Sequence, residues 1–124
     1  MIIRIDFNAA DPIYVQLRNQ IVRLIARGQL HNGDSLPSVR ALASELGVNM
    51  HTVNKAYAML RQEGYLKLDR RKGAVIQVER DDKKTEMTRI NGHMEMIVAQ
   101  AICKEISRED MLRLIGEMYD MFDF

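Results

Sequence analysis

Residues 36–57 read LPSVRALASELGVNMHTVNKAY, and they decide the fold. Ser38 is a strong N-cap type, and Val39, Leu42, Ala43 and Leu46 follow it at helical spacing. Gly47 ends that helix, because glycine takes the left-handed conformation at low steric cost. Asn49 caps a second helix with an apolar stripe of Val53, Ala56, Tyr57 and Leu60. Ala43, Gly47 and Val53 stand four and six residues apart. That spacing suits a helix-turn-helix: a small residue where the helices touch, a glycine in the turn, a β-branched residue locking the second helix. A second helix held this way presents its N-terminal polar residues to a DNA major groove.

Working outward, residues 2–7 (IIRIDF) alternate apolar and polar, which suits an edge strand or arm. Asp11-Pro12 opens a helix, with the acid near the N-cap and proline in the first turn. Ile13, Leu17, Ile21, Leu24 and Ile25 form its apolar face, to about Arg27. The segment GQLHNGDSLPS is a loop with room for a short extended stretch. Downstream, Gly64 closes the third helix, and two strands flank a basic turn. Tyr65, Leu66 and Leu68 precede Asp69-Arg70-Arg71-Lys72-Gly73; Val75, Ile76 and Val78 follow. Three helices and a hairpin make a winged helix-turn-helix, predicted over residues 1–79. The fold class is mainly α with one small β-hairpin.

The polar run RDDKKT (80–85) marks a boundary to a helical region, residues 80–124. Met87, Ile90, Met94, Ile97, Ala101 and Ile102 recur at helical steps to about Glu105, and Asn91-Gly92 leaves open whether that helix runs on, kinks or splits. Ser107 and Asp110 approximate a capping box for a last helix, striped by Met111, Leu114, Ile115, Met118 and Phe122. Methionines 87, 94, 96, 111, 118 and 121 at this spacing read as core or interface more readily than as a ligand site. Two helices with one apolar stripe each are a small structure to stand alone. A second copy would bury both stripes and set two recognition helices symmetrically, fitting a palindromic operator. The expected dimerisation residues are therefore Met87, Ile90, Met94, Ile97, Ala101, Met111, Leu114, Ile115, Met118 and Phe122.

The chain has 124 residues, enough for one modest domain or a small domain with an appendage. Net charge is only +1, but it is unevenly placed. Residues 1–80 carry 12 Lys and Arg against 7 Asp and Glu, a net +5; residues 81–124 carry 6 against 10, a net −4. The basic half holds the helix-turn-helix, as a phosphate-binding surface should. Cys103 is the single cysteine, which excludes an intrachain disulfide and suits a reducing cytoplasm. No apolar run approaches a membrane span, and MIIRIDF lacks a signal-peptide pattern, so no membrane partner is expected. His31, His51 and His93 fall in different elements, so no metal site is expected. No nucleophilic triad, phosphate loop or dinucleotide fingerprint appears, so neither catalysis nor a cofactor is expected.

With Val53, Ala56, Tyr57 and Leu60 inward, Asn49, Met50, His51, Asn54 and Lys55 are left at or near the outer surface. Asn pairs with adenine through two hydrogen bonds, and Lys reaches phosphate or guanine. A merely solvated helix face would look the same; the helix-turn-helix context favours DNA. Arg70, Arg71 and Lys72 place three cations on a narrow hairpin tip, where Gly73 permits close backbone approach. Arg40 sits near a helix N-terminus, where the dipole disfavours a cation unless an anion such as phosphate joins it.

These stretches resemble the GntR family of transcription regulators, and its small YtrA-type branch most. PIYVQLRNQI resembles the family opening, and GDSLPSVRALASELGVN its central motif. HTVNKAYAMLRQEGYL resembles the recognition helix, and RKGAVIQV the glycine-bearing wing. The resemblance covers residues 11–79. It implies DNA contacts at Ser38 and Arg40, at Asn49, His51 and Thr52 on the groove-facing end of the recognition helix, and at Gly73 with its basic neighbours in the minor groove. It also implies a two-helix dimerising tail. One departure stands out: many relatives carry Arg where this chain has Met50. Bidentate guanine readout is lost there, and contact with a thymine methyl is open to Met50 instead.

The expectation is a cytoplasmic, homodimeric repressor bound to a double-stranded DNA operator, with room in the tail for a small-molecule effector. Two other classes stay open. A protein-interaction module would show neutral binding surfaces, against the +5 half. A nonspecific architectural binder would rely on phosphate contacts alone, against the base-reaching Asn49, His51 and Asn54.

Overall fold

The computed structural model describes residues 1–80 and 82–122. It divides into two compact units, Met1–Glu79 and Arg80–Phe124.

In the first unit, α1 spans Ile13–Ala26, α2 Val39–Leu46 and α3 Met50–Gln62. Strands β1 (Leu66–Asp69) and β2 (Gly73–Ile76) pair antiparallel, with Leu66 opposite Ile76 and Asp69 opposite Gly73. The helix ends follow local chemistry. Ser38 Oγ accepts from the Ala41 N–H at 3.1 Å, and Asn49 Oδ1 accepts from the His51 N–H at 2.7 Å. Gly47 takes φ 69°, a left-handed value that turns the chain sharply between α2 and α3. At α1 the cap position is Pro12 itself, and no side chain caps that helix. Asp11 therefore lies one residue outside its expected role.

The core gathers the apolar faces of all three helices and the hairpin. Leu17, Ile21, Leu42, Val53, Leu60 and Ile76 are almost wholly inaccessible, and Ala43, Ala56 and Tyr57 complete the seam. Small residues at 43 and 56 allow the close helix approach that the sequence implied. Tyr57 donates its hydroxyl hydrogen to the Pro37 carbonyl at 2.7 Å, which satisfies the only polar atom it buries and ties α3 to the residues leading into α2. Burial pushes the Tyr57 hydroxyl pKa well up, so it remains a donor.

The N-terminal residues form an arm, not a strand. Its backbone finds partners in two glutamines one turn apart on α1. Gln16 Oε1 accepts from the Asp6 N–H and its amide donates to the Asp6 carbonyl, both at 2.9 Å. Gln20 Oε1 accepts from the Arg4 N–H at 2.9 Å and its amide donates to the Arg4 carbonyl. The loop after α1 carries a rudimentary third strand: Ser35 bridges Val75, and the Leu36 N–H donates to the Ala74 carbonyl at 2.8 Å. This stitch holds the hairpin against the entrance to α2.

In the second unit, α4 spans Lys83–Cys103 and α5 spans Arg108–Met121. Asp82 caps α4 through the Thr85 N–H, so the helix starts inside the polar run. It continues unbroken through Asn91-Gly92. One glycine costs only about 1 kcal/mol in a helix, less than the hydrogen bonds lost on breaking it. Ser107 Oγ accepts from the Asp110 N–H at 3.1 Å and starts α5 as expected. Ala101 is buried; Met94, Met111, Ile115 and Phe122 are half-buried; Met87, Ile90, Ile97, Leu114 and Met118 stay exposed. Among the described residues, no helix is long and apolar enough to cross a membrane, and no cluster of metal-ligating side chains occurs.

Candidate nucleic-acid interface

The outer face of the first unit is built on the two caps. Asn49 holds the first turn of α3, so that turn projects Met50 and His51 outward, and Asn54 follows one turn later. These four residues, with Val39 of α2, surround one open hollow. Its rim is amide and imidazole, and its remaining wall is the apolar Met50 and Val39. Such a mixture suits base edges, which present both hydrogen-bonding groups and the thymine methyl.

Beside it runs a trough between α3 and the hairpin, about 660 Å³ in volume. Val39 and Asn54 line both trough and hollow, and Ser38, Arg61, Lys72 and Gly73 line the trough alone. Ser38 Oγ is used as an acceptor by its own helix, which leaves its hydroxyl hydrogen to donate outward. Arg40, in the first turn of α2, is exposed and forms no salt bridge with any described residue.

The wing tip is shaped by Asp69. Its Oδ1 accepts from the Arg71 N–H at 2.8 Å and the Lys72 N–H at 3.0 Å. Gly73 follows at φ 75°, which lets the chain re-enter β2. Arg70, Arg71 and Lys72 are thereby displayed on three consecutive exposed turn positions. The backbone hydrogen bonds from Arg71 and then Lys72 hold the Asp69 pKa below its ordinary value, aided by the charges of Lys72 and Lys67. The sign follows directly. The ionised carboxylate supports the turn fully above the ordinary carboxyl pKa, and that support fades as pH falls through the lowered one. The amide resonances of Arg71 and Lys72 should therefore titrate together, with a midpoint below that of a free Asp. Asp69→Asn should abolish that titration; its persistence in the variant would assign it to another group.

Not every residue expected at the surface joins this site. Lys55 Nζ lies 4.0 Å from the centroid of the Tyr14 ring, joining α3 to α1 by a cation–π contact. Thr52 is half-buried and lines neither hollow. Sequence reasoning also passed over two residues. Asp69 was legible as an Asx-type turn former before a basic run. Arg61 lies seven positions after Asn54, two helical turns along the same face of α3.

Comparison with known proteins agrees with this geometry. Residues 13–76 match the family model described as "Bacterial regulatory proteins, gntR family". The HTH-type transcriptional repressor YtrA of Bacillus subtilis is 39% identical over 98 residues, spanning 79% of this chain and 72% of that protein. The solved structure of YtrA from Sulfolobus acidocaldarius, a GntR-family transcription factor, is 41% identical, with TM-score 0.69 over 83% of this chain and 99% of that one. AraR(DBD) in complex with operator ORX1 shares the fold, at 24% identity and TM-score 0.54, over 60% of this chain and 95% of that one. The capped helix-turn-helix, the glycine-bearing wing and these matches lead to one assignment: the chain belongs to the GntR family, as a DNA-binding transcription regulator similar to the YtrA type.

Proposed function

We propose that the chain is a homodimeric repressor that reads a palindromic operator. The unit 1–79 contacts DNA, and the region 80–124 joins two copies. The observation that carries the DNA reading is the convergence of Asn49, Met50, His51 and Asn54 on one open hollow at the start of α3. Asn49, His51 and Asn54 reach base edges; Ser38, Arg40 and the wing residues Arg70, Arg71, Lys72 and Gly73 hold backbone and minor groove. Lys55, turned to Tyr14, acts mainly by bracing α3.

The homodimer is supported by the second unit. Ala101 is its one buried residue among those described, while Ile90, Ile97, Leu114 and Met118 are 40–47% exposed. Helices of this length gain most of their stability from packing, so a second copy covering these side chains accounts for them. Repression is supported by the similarity to the B. subtilis repressor YtrA. It would act sterically, by a dimer covering a promoter. A groove of about 510 Å³ between α4 and α5, lined by Ala101, Ile102, Met111 and Ile115, offers a seat for a small apolar effector.

A gel-shift titration at physiological salt, against the chain's own upstream promoter and a scrambled control, tests the reading. Specific binding should exceed nonspecific binding by at least about 1,000-fold. Arg40→Ala should weaken binding and leave the dimer intact. Equal affinity for both DNAs, extended to sites selected from random sequence, would turn the assignment toward an architectural binder.

A further inference from the structure

The trough between α3 and the hairpin has an occupant implied by geometry. A helix in a major groove and a hairpin tip in the adjacent minor groove must straddle the one sugar-phosphate strand that separates them. On this surface the trough lies between those two elements, and its walls include Ala58, Arg61, Leu68, Lys72 and Gly73. Its chemistry suits that strand. Arg61 stands on the α3 wall and Lys72 on the hairpin wall, so cations face the channel from both sides. Arg61 is exposed and forms no salt bridge with any described residue. Ala58 and Leu68 line the same trough, the latter 60% exposed despite its place in a strand. The exposed Leu68 side chain offers an apolar surface that matches the apolar faces of deoxyribose.

We propose that Arg61, with Lys72 opposite, clamps the phosphodiester strand dividing the two grooves, and that Ala58 and Leu68 pack on its sugars. Arg61 is thus a DNA-binding residue two turns beyond the base-reading end of α3. This rests on the reading that α3 enters the major groove. The clamp is blind to sequence, since every nucleotide presents the same phosphate.

The test uses the full chain and a site selected from random DNA, with Arg61→Ala and Arg61→Gln compared to the unmodified protein. The slope of log affinity against log salt, between about 50 and 200 mM, should fall by about 0.9 per half-site in both variants. Affinity for selected and random DNA should fall by the same factor, about tenfold per half-site at physiological salt, leaving their ratio unchanged. Replacing the dividing phosphates by methylphosphonates should weaken the unmodified protein more than it weakens the variants, which keep only the Lys72 contact to those phosphates; equal weakening of both would overturn the Arg61 contact. An unchanged salt slope would overturn the clamp, as would a loss confined to the selected site, which would make Arg61 a base reader. If the unmodified protein selects no site at all, the major-groove reading of α3 fails first, and that outcome is distinguishable from failure of the clamp.

Discussion

Leu60→Ala should destabilise the DNA-binding unit by about 3 kcal/mol and lower its thermal midpoint by about 10–25 °C. Leu60 is fully inaccessible and sits within the cluster that joins all three helices to the hairpin. Removing its branched end leaves a cavity that the surrounding backbone fills only in part. Alanine is a slightly better helix former than leucine, so propensity offsets a little of the loss and the measured value is a lower bound on the packing term. Since a small domain holds roughly 5–15 kcal/mol in total, a large share of its stability would go. Urea titration followed by circular dichroism measures it. A loss under about 1 kcal/mol would show that α1 and α3 close over the gap and that this contact does not organise the unit. Operator binding at low temperature, where the variant still folds, should be retained, because Leu60 lines neither the hollow nor the trough.

Ile97→Asp should convert the protein to a monomer and weaken operator binding by at least about 100-fold. Ile97 lies in the C-terminal half of α4 and is 44% exposed, so a carboxylate there is tolerated by a lone helix in water. In a dimer that covers the stripe, the same carboxylate is desolvated among apolar side chains, a penalty of several kcal/mol. The monomer keeps its half-site contacts, so affinity for an isolated half-site should be unchanged while affinity for the full palindrome collapses toward it. Sedimentation equilibrium and half-site titration read both quantities. A variant that stays dimeric would move the interface off this face of α4. An unmodified protein that is monomeric at micromolar concentration would remove the homodimer from the proposal, while leaving the reading of the DNA-binding unit standing.

The two experiments separate the roles that chain charge already divides. The basic stretch 1–80 carries the outward hollow, the trough and the wing; the acidic stretch 81–124 carries exposed apolar stripes. A variant in one should leave the measured property of the other intact, which makes each a control for its partner.

What could be read from residues 36–57 was set by interactions within a few positions of each residue. Ser38 and Asn49 cap their helices because each stands at the cap position, where a short acceptor reaches a free N–H two or three residues on. Gly47 turns because its conformational freedom is intrinsic. The helical spacing of Val53, Ala56, Tyr57 and Leu60 marks a buried face for the same local reason. The hairpin and its glycine were legible on these terms as well. Tertiary structure decided the rest. It gave the arm's backbone the side chains of Gln16 and Gln20 as partners, where alternation alone left strand and arm equal. It turned Lys55 onto Tyr14, a residue 41 positions away in sequence, and so withdrew it from the hollow. It set Arg61 opposite Lys72 across a trough whose walls come from a helix and a hairpin. Those contacts join residues far apart along the chain, and their partners are chosen by how the helices and hairpin pack, which no local pattern of residues encodes.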